Sequence, residues 1–237
     1  MRSYRSNINY GKEKITFDVS HADRKTMEIG VHPDIRVTVK VPKGIAPEVV
    51  NQRVAKRARW IKRQIAYFRK FEPHAPAKCY VGGETHLFLG RQYRLKIRKH
   101  NCSEVKLKDG YFYIMTPAPD NTRKIRDMLF NWYKSHTLVI FSKRLEICYK
   151  AVKKLGIRFP GLRVKKMSKR WGSCGKVGDI ILNTELIKAP LHSIDYVIMH
   201  ELCHLKVHTH NNAYYRLLSK YMPDWEKRKE RLEKVLL

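Results

Sequence analysis

Apolar and polar positions alternate with a period of two in the first part of the chain. Lys14–Val19, Thr26–Val31 and Arg36–Val41 alternate or carry β-branched residues, with turn residues between them, and each is predicted as a strand. His32-Pro33-Asp34 marks one turn, and Pro42-Lys43-Gly44 ends the third strand. The period then becomes helical. Val50, Val54, Ala58, Ile61, Ile65 and Phe68 recur every three or four residues and predict one helix from about Ala46 to Lys70. Two hairpins follow. Glu84–Leu89 and Arg91–Arg98 flank Gly90; Glu104–Lys108 and Tyr111–Thr116 flank Asp109-Gly110, a pair suited to a two-residue turn.

The breaker Thr116-Pro117-Ala118-Pro119-Asp120 is the expected boundary between a strand-rich part, 1–118, and a more helical part, 119–237. A long helix is predicted from about Asn121 to Leu155, stopped by Gly156. Short strands are predicted at Leu162–Met167 and Asp179–Asn183. Pro190 opens an apolar helix running through Ile194, Val197 and Ile198 into His200. Further helices start at Asn211-Asn212 and at Pro223, the last being the amphipathic Trp225–Leu237. Strands first and helices later give an α+β class, and no internal repeat is present.

Charge changes this picture more than composition does. Fifty Lys and Arg against 21 Asp and Glu leave a net charge of +29. Such a balance attracts polyanions and points to DNA or RNA as a partner. The predicted first helix concentrates it: Arg53, Lys56, Arg57, Arg59, Lys62, Arg63, Arg69 and Lys70 stand off the apolar face, and no acid intervenes between Asn51 and Lys70. Arg53, Lys56 and Arg57 are the candidate phosphate contacts. The plain alternative is a solvated outer face. The five cysteines are scattered without a C-x-x-C pair, so neither a zinc ribbon nor a thioredoxin-like site is suggested, and free thiols in a reducing cytoplasm are the simpler account. Met1–Lys14 lacks the apolar core of a signal peptide, and no apolar run is long enough to span a bilayer, so a cytoplasmic protein without a membrane partner is expected.

The chemistry concentrates at His200-Glu201-Leu202-Cys203-His204, an H-E-x-x-H motif at the end of the apolar helix. Residues four apart share a helix face, so both imidazoles can reach one zinc ion, while Glu201 beside them suits a general base. His208 and His210 compete for the third ligand. An unbroken helix would carry His208 about 12 Å along the axis from His200, too far for one tetrahedral ion. Thr209, Asn211 and Asn212 favour a stop and a restart, which makes His210 the better placed. Glu185 and Asp224 remain more distant alternatives. In Lys169-Arg170-Trp171-Gly172-Ser173-Cys174, Arg170 and Ser173 are candidate donors to an oxyanion or a substrate backbone. Trp171 reads as core packing. Cys174 could serve as ligand or nucleophile, but an ordinary buried thiol is the simpler account.

Three segments in order resemble the YgjP-like metallopeptidases, a family related to the WLM metalloproteases and the minimal zincin fold. They are Arg170-Trp171-Gly172-Ser173-Cys174, then Ile180-Ile181-Leu182 ending at Asn183, then Ile194-Asp195-Tyr196-Val197 leading into His200-Glu201-Leu202-Cys203-His204-Leu205. Ile35-Arg36-Val37-Thr38-Val39, Pro42-Lys43-Gly44 and the helix with Trp60-Ile61 look like that family's N-terminal half. The likeness runs from about Ile15 to Glu233. It implies a zincin-like catalytic part, a peptidase acting on polypeptides, and a third histidine six residues after the second, which here is His210. Tyr214 and Tyr215 stand where the family tends to have large aromatics. Val207 occupies the glycine position of the metzincin spacing and speaks against a metzincin turn. The expectation is therefore a zinc metallopeptidase that meets nucleic acid. Its rival is a non-catalytic nucleic-acid-binding protein whose zinc is structural or vestigial. Glu201 favours the enzyme, since structural zinc needs no general base.

Overall fold

The computed structural model describes residues 3–32, 34–70, 78–167, 170–175 and 178–236. Pro33, Lys169 and Leu237, which belong to segments discussed above, lie outside the described residues. The chain divides into two compact units, Met1–Pro76 and Ala77–Leu236.

In the first unit β1 (Ser3–Tyr10), β2 (Glu13–Ala22), β3 (Glu28–Val31) and β4 (Val37–Pro42) form a sheet in the order β1-β2-β4-β3. β2 and β4 run parallel; the other neighbours are antiparallel. The inward positions Phe17, Val19, Val39 and Val41 are buried against Val50, Val54, Ala58 and Ile61. β1 was not anticipated. It is an edge strand of Ser, Asn and Arg whose burial only alternates between exposed and half-buried, so it carries little apolar signal. The single helix expected over Ala46–Lys70 is two: α1 (Pro47–Lys56) and α2 (Ala58–Arg69). At the junction the Arg57 N–H donates to Val54 O rather than four residues back. No Gly or Pro marks this break. The bend keeps Val50 and Val54 on one side of it, and Ala58 and Ile61 on the other, all against the same sheet.

The second unit opens with β5 (Thr85–Phe88), β6 (Arg91–Lys99), β7 (Glu104–Lys108) and β8 (Tyr111–Thr116), ordered β5-β6-β8-β7. α3 (Thr122–Val152) follows, started by the Asn121 side chain accepting from Lys124 N at 2.9 Å. After one 3-10 turn it is stopped by Gly156 in the left-handed region at φ 68°. The Thr116–Asp120 breaker therefore falls inside this unit, not between units. Phe112 and Ile114 of β8 and Ile125, Leu129, Phe141 and Leu145 of α3 bury into one core, which a short turn cannot divide.

A second sheet orders β10-β11-β9, with β9 at Leu162–Lys165, β10 at Gly172–Cys174 and β11 at Ile180–Asn183. β11 is parallel to β9 and antiparallel to β10, so β10 is an edge. Three helices complete the unit: α4 (Leu191–His204), α5 (Asn212–Tyr221) and α6 (Trp225–Leu236). Arg144 on α3 grips Asp195 on α4 through two hydrogen bonds, 2.7 and 2.5 Å. This paired geometry satisfies both largely buried charges and fixes the axial position of α4. The molecule is α+β, strand-rich first and helical later. Among the described residues no helix is long and apolar enough to cross a membrane.

Candidate metal centre

α4 is buried on nearly every side from Ser193 to Met199. A helix enclosed in this way holds its last turn rigidly, and that turn carries His200, Glu201 and His204. His200 and His204 lie one turn apart with their Nε2 atoms 3.2 Å from each other. The helix then stops. Val207 N–H closes back on Cys203 O, and the chain turns toward Asn211, whose side chain caps α5 by accepting from Tyr214 N at 3.0 Å. The turn carries His210 back to the helix, its Nε2 3.0 Å from that of His204 and 3.1 Å from that of His200. His208 lines the neighbouring cleft but stands outside this trio. Glu185 instead pairs with Lys188, and Asp224 with Arg228.

The three nitrogens suit a metal. His204 Nδ1 donates to Val207 O at 3.1 Å, which leaves the Nε2 lone pair facing its two neighbours. Burial, reinforced by His204 and His210, pushes the His200 imidazole down to about 3, and burial also lowers His204 and His210. Three imidazoles whose charged forms are disfavoured thus bring their Nε2 atoms to one point, an arrangement that an electron-pair acceptor stabilises. A tetrahedral ion about 2.0–2.1 Å from each ligand sets its nitrogens about 3.3–3.4 Å apart. The observed 3.0–3.2 Å triangle needs little adjustment to reach that spacing.

The trio opens onto a cleft of about 750 Å³. Glu201 lines it at 5% exposure. Burial pushes its carboxyl up to about 7, against an opposing pull from the Arg170 guanidinium. Arg170 and Ser173 are on the same cleft wall. Cys174 is there too, but burial and the Glu201 charge both raise its thiol, so it is not an activated nucleophile. Arg53, Lys56 and Arg57 belong to the other unit, at the end of α1 and its junction with α2, and all three are exposed.

The family model of the YgjP-like metallopeptidase domain matches residues 25–235. The chain belongs to that family. Among solved structures it is similar to the metallopeptidase zymogen of Pyrococcus abyssi abylysin, at 22% identity and a TM-score of 0.36, over 39% of this chain and 90% of that one. A likeness so slight carries no argument. No curated protein matches the chain.

Three residues that frame this YgjP-like centre had no site role on the evidence of spacing alone. Tyr214, fully buried, donates its hydroxyl to His200 O at 3.1 Å and stacks on the His204 ring at 4.5 Å. Asn183, 2% exposed, accepts from Met167 N and donates to Met167 O and Arg170 O, and so ties the segment bearing Arg170 to β11. Gly172 is the third. A Cβ there would sit 2.6 Å from Glu201 Oε1 and 2.9 Å from Val197 Cγ1, so β10 approaches α4 as closely as only glycine allows. Gly172→Ala should therefore displace the Glu201 carboxylate. The expected outcome is a fall in kcat of about tenfold or more on any cleaved peptide, with metal content unchanged. A variant with wild-type kcat would show that the close approach has no bearing on turnover.

Proposed function

We propose that this YgjP-like chain is a zinc-dependent peptidase in which His200, His204 and His210 hold the ion and Glu201 carries the proton. The observation supporting this is the convergence of three imidazole nitrogens beside a buried carboxyl group at the wall of an open cleft. Three protein ligands, rather than a closed set of four, leave a position for water or substrate. Imidazole donors suit zinc, and peptide hydrolysis needs no redox change. Bound there, zinc supplies Lewis acidity toward the scissile carbonyl and the attacking water. Glu201 accepts that water's proton and returns it to the leaving amine nitrogen.

Among the described residues the outer edge of β10 has no strand beside it in its sheet, and β10 lines the cleft, so an extended polypeptide can add to it as a further strand. Arg170 and Ser173 then supply hydrogen bonds to the substrate backbone or to the developing oxyanion. All these side chains come from 119–237, which we read as a zincin-like catalytic part. The five free cysteines suit a cytoplasmic protein. The net charge supports DNA or RNA as a partner near its substrates.

Elemental analysis of purified protein, run with casein hydrolysis, tests the reading. About one zinc per chain is expected. A chelator should abolish hydrolysis, and added zinc should restore it. Bound zinc without hydrolysis of any unfolded polypeptide, with or without DNA, would favour the structural-zinc rival.

A further inference from the structure

The first unit contains a second concavity, of about 570 Å³, which the peptidase reading does not use. Its helical side is built from both helices: Arg53 and Lys56 at the end of α1, Arg57 at the break, and Trp60 in the first turn of α2. That side adjoins the face on which Val50, Val54, Ala58 and Ile61 are buried, so Trp60 packs partly on the core and partly lines the groove. Lys25, Thr26, Met27 and Ile29 complete its lining, the last on the edge strand β3. Lys25, Arg53, Lys56 and Arg57 are all exposed. Among the described residues none of the four pairs with an acid. Of the described acids in this unit, Glu28 pairs with Arg24 and Glu13 with Lys62, and none lines the groove.

We infer that this groove binds single-stranded nucleic acid, with a base stacked on Trp60 and the adjoining phosphates on Lys25, Arg53, Lys56 and Arg57. Four unneutralised cations in one concavity repel one another, and a partner with a regularly repeated negative charge relieves this. An indole among those cations offers a planar surface for a base, worth the most to a strand whose bases are unpaired. A duplex hides its base faces, and an acidic polypeptide has charge but seldom a planar ring beside each charge. The inference rests on the reading that the chain meets nucleic acid. It is independent of the peptidase reading.

The test measures binding of the full chain to a labelled oligothymidylate of about twelve nucleotides, by fluorescence anisotropy across a salt series. Competitors are an unlabelled duplex and polyglutamate. Wild-type protein should bind the single strand, and Trp60→Ala should weaken binding about tenfold with little change in salt slope. Trp60→Phe should recover most of the loss, which separates stacking from a packing defect. The triple variant Arg53→Glu, Lys56→Glu, Arg57→Glu lies on exposed positions and should make the slope of log K against log salt shallower by about 2, from roughly 0.7 per phosphate on a single strand. If Trp60→Ala and the triple variant both bind like wild type, the groove is not the site, although nucleic acid remains a partner. No binding at low salt overturns both readings. Polyglutamate competing as well as the oligonucleotide, charge for charge, overturns the assignment to nucleic acid.

Discussion

Glu201→Gln should keep the metal and the fold while reducing peptide hydrolysis by about a thousandfold. The substitution preserves shape, which matters because β10 leaves no room for a bulkier group: Glu201 Oε1 lies 2.6 Å from where a Cβ on Gly172 would be. It also leaves the three converging nitrogens untouched, since Glu201 is not among them. What it removes is the proposed base, a carboxyl that burial pushes up to about 7. A carboxylate of that basicity can accept a proton at physiological pH and release it again, whereas an amide can do neither. Turnover and zinc content measured on one preparation decide the matter. Unchanged turnover on a substrate that the wild type cleaves would rule out the general-base role. Loss of zinc together with activity would mean instead that the carboxylate holds the ion.

Some of this architecture could be read from local pattern. Strong periodicity gave β2, β4, β7, β8 and α3, and the stop at Gly156 follows from the left-handed conformation that residue adopts. The class followed from the order of these elements. Other features depend on what lies opposite in space. β1 is a strand because β2 pairs with it over its whole length, although its own residues are polar. β10 is three residues of Gly, Ser and Cys that become a strand beside β11. The break at Arg57 goes with both helices burying residues in one core with the sheet, which no residue at the break signals. Prolines at 117 and 119 signal a local turn but carry no information on which cores the flanking elements share, and here those elements bury into one core.

The site divides in the same way. A four-residue spacing on a helix is a local fact, so His200 and His204 could be placed together at once. Gly172 and Asn183 act through contacts with α4 and with the segment bearing Arg170, and nothing in their neighbours reveals those contacts. The acid-free run near Arg53 was visible, but not that Lys25 and Trp60 share its groove, nor that Lys62 is already engaged by Glu13.

His210→Ala should lower zinc affinity by more than about a hundredfold, while His208→Ala should change it by no more than about twofold. Both histidines follow the motif within a few residues, and both are exposed, so the contrast isolates geometry from composition. His210 Nε2 is 3.0 and 3.1 Å from its two counterparts, and the cap at Asn211 holds the backbone that carries it. His208 lies on the cleft wall, where it can touch substrate but is not part of the converging trio. Removing His210 would leave only the two proposed ligands on one helix turn, which should bind zinc far more weakly than three because the lost donor is not replaced from the protein. Removing His208 takes away a cleft side chain and nothing from the trio, so any loss should appear in KM rather than in affinity for the ion. Competition with a chromogenic chelator at fixed pH measures both variants on one scale, and elemental analysis of the dialysed proteins checks it. If His208→Ala lost its zinc and His210→Ala kept it, the ligand set proposed here would be wrong, and the turn after α4 would have to rearrange when the ion binds.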